Sequence, residues 1–163
     1  MRLPHKTLER KLFANGYSLI FAVDEVGMGC LAGPVVVCAV AFNKKFFNRV
    51  NKRLHWLRDS KLLLAHQREE YAKQLTVDKN IKFQISYVYP KTIDKLNVYQ
   101  ASRAAMRRAI KKLYHVSSIK YYGKKSEKHN TKYIIHNTKS VVLVDGPSKI
   151  SGLEIDQIPI VKG

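Results

Sequence analysis

The stretch "SLIFAVDEVGMGCLAGPVVVCAVAF", residues 18–42, constrains the fold more than any other part of the chain. Its two apolar runs, Ser18–Val23 and the valine-rich Val35–Phe42, have strand length and are far too short to span a bilayer. Between them lie two adjacent carboxylates, Asp24 and Glu25, and a loop punctuated by Gly27, Gly29, Gly33 and Pro34. That loop is long for a tight hairpin, so a bulged or extended hairpin is expected. An apolar strand that runs into acids is the pattern of a buried sheet with chemistry at its edge, where α/β folds place functional groups.

The remaining pattern supplies partners for such a sheet. Leu8, Leu12 and Phe13 fall at helical spacing within 5–15, and Asn15-Gly16 is a natural stop. "NKKFFNRVNKRLHWLRDSK" reads as a basic, aromatic loop leading to a helix over Leu64–Leu75. "IKFQISYVYP" alternates as a third strand bounded by Pro90. Residues 92–114 form the strongest predicted helix, with Ile93, Leu96, Val98, Ala101, Ala105, Ala109, Ile110 and Leu113 on its apolar side. Arg103, Arg107, Arg108, Lys111 and Lys112 crowd its C-terminal half, where cations suit the helix dipole. Residues 117–140 hold six lysines and one acid and read as a basic insertion outside the core. "VVLVDG" is a fourth strand, again ending in an acid, Asp145, and a short apolar "IPIVK" comes near the end.

At 163 residues the chain is most simply one domain, 1–163, large enough to bury a core. Thirty Lys and Arg against twelve Asp and Glu give a net charge of +18, which points to an acidic partner, nucleic acid before others. The two cysteines, Cys30 and Cys38, form no CxxC pair and are expected as reduced, buried small residues. No histidine pair has zinc-site spacing, and Gly27-Met28-Gly29 lacks the third glycine of a dinucleotide fingerprint. The basic N-terminus has no apolar signal core, so a cytoplasmic protein with no membrane association is expected.

Adjacent side chains on a strand point to opposite faces, so Asp24 and Glu25 can act together only if the backbone bends there, and Gly27 is the expected hinge. Three acids brought together would repel and raise some of their pKa values unless cations sit among them. Oxygen-only clusters suit hard divalent ions, Mg²⁺ or Mn²⁺. On a basic chain this suggests a phosphodiesterase with two ions about 4 Å apart. A single acid of this kind is better explained by a turn or a helix cap.

Five blocks resemble one family. "VDEVGMGCLAGPVV" is similar to the ribonuclease HII hallmark V-D-E-x-G-R-G-x-L-A-G-P-V, and "LRDSKLL" to its D-S-K-x-L block. "LNVYQASRAAMRRAI", "VLVDG" and "IPIVKG" resemble, in order, its long helix, its second acidic strand and the start of its V-K-G-D block. The resemblance implies an RNase H-like α/β fold with a mixed central β-sheet flanked by helices. It implies cleavage of RNA in RNA–DNA hybrids and at single ribonucleotides embedded in DNA, with Mn²⁺ or Mg²⁺, by an expected monomer. It makes Asp24, Glu25 and Asp145 three of four metal-binding carboxylates. It assigns Gly27, Met28 and Gly29 to the loop that senses the ribose 2′-OH, and Ser60, Lys61, Asn97 and Ser102 to the nucleic-acid groove.

Three departures from the family pattern carry expectations of their own. Met28 stands where the pattern has arginine, and a thioether cannot replace five charged donors. The chain stops at Gly163, just before the fourth acid and the C-terminal helices that the pattern places next. Residues 117–140 enlarge a connection that is usually short. Impaired or absent turnover and an uncovered apolar sheet face are the corresponding expectations. The alternatives are a catalytically dead, basic nucleic-acid-binding remnant and an enzyme of the ribonuclease HIII type.

Overall fold

The structure, a computed structural model, describes residues 6–48, 54, 57–120 and 139–161, with side chains through 117 in the second long segment. Helix α1 (Thr7–Ala14) precedes strands β1 (Leu19–Val26) and β2 (Val35–Asn43) and a short helix α2 (Lys44–Asn48). A 3₁₀ turn (Ser60–Leu62), α3 (Ala65–Thr76), β3 (Ile81–Val88), α4 (Pro90–Leu96) and α5 (Val98–Lys120) come next. Strands β4 (Ser140–Asp145) and β5 (Asp156–Ile160) complete a five-stranded sheet of order β3-β2-β1-β4-β5. The first three strands are an antiparallel meander, whereas β4 runs parallel to β1 and β5 parallel to β4. This is the mixed α/β sheet expected.

Period-two alternation divides the sheet into two apolar faces. Phe21, Val23, Val35, Val37, Ala39, Val142 and Val144 pack against Ala101, Ala105, Met106, Ala109, Ile110 and Leu113 of α5. The alanines at four-residue spacing let the helix lie close to the valines, and each large side chain buried there contributes about 1.5–3 kcal/mol. Ile20, Val141 and Leu143 face the other way, onto Leu12 and Phe13 of α1. Phe13 packs there against Phe47 at 5.3 Å between centroids. On edge strand β3 the apolar side chains Phe83, Ile85 and Tyr87 are substantially exposed.

Helix boundaries and burial differ from the sequence reading in several places. The predicted helix over 92–114 is two helices broken at Asn97, whose φ of 65° leaves the helical region. Asn97 then serves α5 as its N-terminal cap, its Oδ1 accepting the Gln100 N–H at 3.0 Å. Helix α5 continues to Lys120, so the first residues of the expected insertion are helical, while 121–138 lie outside the described residues. Leu96, placed on the apolar side by periodicity, is exposed, the break at Asn97 having ended the helical register that aligned it with the α5 face. Both cysteines are exposed, not buried, since Cys30 lies in the β1–β2 loop and Cys38 on the thinly covered face of β2.

Candidate functional site at the acidic sheet edge

Parallel pairing brings the two acidic strand ends together. Val23 pairs with Val144, so one step later Asp24 and Asp145 emerge side by side at the same edge of the sheet. Ile20, Val141 and Leu143 belong to the α1 face, and alternation puts Asp24 and Asp145 on that face too. Glu25 shares the parity of Phe21 and Val23 and turns toward α5. The bend expected at the acid pair is absent: β1 stays paired with β2 through Val26↔Val36 because the ladder continues past both acids. Asp24 and Asp145 therefore meet on one face, while Glu25 senses both from the other. Among the described residues no group of three His, Cys, Asp or Glu is gathered closely enough to hold a metal ion.

Electrostatics confirms the crowding. The Asp24 carboxyl is held above its ordinary value chiefly by burial, and further by the charge of Asp145 and a shared hydrogen bond with it. Two interactions oppose this: the Glu25 N–H donates to Asp24 Oδ1 at 2.7 Å, and the charge of Lys61 reaches the same carboxylate. Glu25 is also raised, first by burial and then by Asp24 and Asp145, with Arg103 on α5 pulling the other way. Repulsion was the cause expected from sequence; burial is the larger one.

Of the expected contact residues, some surround this edge. Gly27 opens the loop with φ +98°, and a Cβ there would meet the Pro34 carbonyl oxygen at 2.8 Å. The Cys30 N–H donates to the Gly27 carbonyl at 3.2 Å, closing a turn that presents Met28 and Gly29 at the surface. Ser60 and Lys61 sit on the 3₁₀ turn, which Asp59 caps by accepting the Lys61 N–H at 2.9 Å. Asn97 is exposed, and its side chain is committed to the α5 cap. Ser102 is only 1% exposed and packs inside, so it is not a surface contact in this structure.

Sequence reading missed what the α5 arginines do. Arg103 donates through Nη2 to the Ser148 carbonyl, and its guanidinium lies 5.8 Å from the Tyr99 ring centroid. Arg107 donates to the Ser151 carbonyl at 3.3 Å, and Arg108 to the Tyr87 carbonyl at 2.7 Å. These side chains staple the β4–β5 loop and β3 to the helix. Their spacing was visible in the sequence; their carbonyl partners, supplied by distant loops, were not.

The donor chemistry of the edge fits a hard divalent cation. Asp24 and Asp145 offer only oxygen, and Asp24 is partly desolvated beside the charge of Asp145, a tension that a cation between them would relieve. Magnesium-like sites commonly use one or two carboxylates, with water and substrate phosphate completing the shell. The pair alone meets that requirement, without a third protein ligand.

Comparison with known proteins bears on the family and the fold. The chain is 42% identical over 104 residues to the ribonuclease HII of Oceanobacillus iheyensis, covering 64% of this chain and 37% of that protein. The matches span 37% to 52% of the length of the first such relatives. Among solved structures, the ribonuclease H2 of Pyrococcus horikoshii superposes with a TM-score of 0.60 at 20% identity, over 88% of this chain and 63% of that one. Bst-RNase HIII in complex with Mn²⁺ superposes with a TM-score of 0.52 at 16% identity, over 88% of this chain and 46% of that one. These likenesses establish an RNase H-like fold. The ribonuclease HII family profile matches residues 21–149, and the chain belongs to the ribonuclease HII family.

Proposed function

We propose that the chain carries the acidic face of a metal-dependent endoribonuclease that hydrolyses the RNA strand of RNA–DNA hybrids and incises DNA at embedded ribonucleotides. The observation that carries this reading is the placement of Asp24 and Asp145 side by side at the ends of parallel strands, in a chain of this family. Asp24 and Asp145 would hold Mn²⁺ or Mg²⁺, with Glu25 acting from the opposite face of β1. When bound, such an ion makes water a better nucleophile and neutralises charge at the phosphodiester; a two-ion arrangement would do both. The Mn²⁺ complex of a structural neighbour supports the choice of ion.

The chain's own residues supply the rest. Lys61, whose charge already reaches Asp24, would neutralise a phosphate arriving at the pair. The turn over Gly27–Cys30 presents backbone amides that can read a 2′-OH, a group DNA lacks. Met28 contributes no charge to that turn, so phosphate binding there is weaker than an arginine would provide. We read 1–163 as a single domain, acting as a monomer, with 117–140 as a basic insertion. No helix among the described residues is long and apolar enough to cross a membrane.

The test is a duplex carrying one ribonucleotide, incubated with the chain and Mn²⁺. Metal-dependent incision, however slow, should fall at least about 100-fold in Asp24→Asn and in Asp145→Asn, as expected for a transition-state contact. Salt-sensitive hybrid binding without incision would favour the second reading, a binding remnant, which the net charge of +18 supports. Absence of binding at low salt would sink both.

A further inference from the structure

Asp145 is the last residue of β4, and the chain leaves it as a loop: Gly146 with φ +106°, then Pro147, Ser148 and Lys149. A strand end that runs into a glycine-initiated loop does not hold a carboxylate in one place unless the loop is tied down. Asp145 pairs with Ile160 of β5 and the Gly146 N–H bonds to the Ile160 carbonyl; beyond these backbone ties, Arg103 supplies the first side-chain tie along the loop. Its Nη2 donates to the Ser148 carbonyl, its Nη1 lies 3.7 Å from Met106 Sδ, and its guanidinium carbon lies 5.8 Å from the Tyr99 ring centroid. Arg107, one turn further along α5, repeats the device at Ser151, so the loop is stapled twice to a helix that is itself packed on the sheet. The same Arg103 charge reaches Glu25 from the α5 face. One side chain thus touches the loop of one acidic strand and the field of the other.

We propose that Arg103 is a positioning residue for Asp145. It holds the segment after β4 against α5 so that Asp145 stays beside Asp24. A lysine could supply the charge but not the fixed fork that spans the Ser148 carbonyl and the Met106 sulfur beside the Tyr99 ring. The inference rests on the metal-binding reading of Asp145, and the experiment separates the two.

The direct reporter is the Gly146 N–H, which donates to the Ile160 carbonyl at 2.9 Å and so records whether the end of β4 stays in register. In Arg103→Leu, hydrogen exchange at Gly146 should quicken about tenfold or more as that bond opens more often. Mn²⁺ affinity, followed by the electron paramagnetic resonance of free Mn²⁺, should fall about tenfold, as when a group orienting a ligand is removed. The thermal midpoint should move little. Arg103→Lys should show smaller changes of the same sign, and it keeps the test decisive if the leucine variant does not fold. Unchanged Gly146 exchange in both variants overturns the proposal, even if residues 147–151 loosen. Wild-type Mn²⁺ affinity in a variant whose Gly146 has loosened overturns it as well. If the wild-type chain takes up no Mn²⁺, the metal reading of the acids falls, and Gly146 exchange alone decides whether Arg103 positions Asp145.

Discussion

Gly27 and Gly29 look equivalent in the sequence, yet the structure treats them differently. Gly27 adopts φ +98°, and an added Cβ would collide with the Pro34 carbonyl, whereas Gly29 has open space and no left-handed φ. Gly27→Ala should therefore cost about 1–3 kcal/mol in a denaturant titration, while Gly29→Ala should stay within about 0.5 kcal/mol of wild type. Asp24 makes a pH-dependent prediction. Its folded pKa is raised above the ordinary 3.8, so the native state binds more protons than the unfolded state between those two values, and stability falls as pH rises through that window. Asp24→Asn removes the charge and should melt higher than wild type at pH 7, with the gap closing as pH is lowered toward the ordinary carboxylate range. Thermal melts at both pH values check the sign. A wild-type chain that melts higher than the variant at neutral pH without metal would contradict it.

Among the elements, α5 decides most of the architecture, and its buried face was legible from period 3.6. Ala101, Ala105, Ala109, Ile110 and Leu113 are all buried, as the spacing predicts. Its start was not legible, because the break depends on one residue's backbone. Asn97 combines φ 65° with ψ 162°, a region that favours glycine, and offsets the strain with a side-chain cap. Asn97→Ala should lose about 1–2 kcal/mol of unfolding free energy, since the cap disappears and the strain remains. Asn97→Gly should remain within a few tenths, because relief of strain offsets the lost cap. If the glycine variant also loses hybrid binding at unchanged stability, the Asn97 side chain has a role in the groove beyond the cap. Strand β1 is longer than its apolar run: its ladder with β2 extends to Val26, and the carboxylates lie within the strand. Polar residues at a strand end read as a loop in sequence, while backbone hydrogen bonds do not depend on the side chains they carry.

For the whole molecule, the net charge of +18 predicts strongly salt-dependent binding to a hybrid duplex. Six to ten phosphate contacts would lower affinity by about 10³–10⁵-fold between 50 and 200 mM salt. Three arginines that the sequence makes available for this, Arg103, Arg107 and Arg108, are engaged with backbone carbonyls of the β4–β5 loop and β3. Lys61 is exposed beside the acids, and Lys61→Ala should reduce the slope of log affinity against log salt by about one. A slope unchanged by Lys61→Ala would remove it from the phosphate-contacting set.

The local pattern was enough to establish that the chain forms a mixed sheet with helices, that two strands end in acids, and which family motifs these belong to. Such features depend on neighbours in sequence: alternation, helical spacing and glycine punctuation act over a few residues. Which acids meet was a different question. Parallel pairing of β1 with β4 joins Asp24 to Asp145 across more than a hundred residues, and uninterrupted pairing with β2 turns Glu25 to the other face. The burial that raises Asp24 and Glu25, and the capture of the α5 arginines by loop carbonyls, likewise arise only when distant segments pack together. Register and desolvation are properties of the assembled sheet, so no window along the chain could contain them.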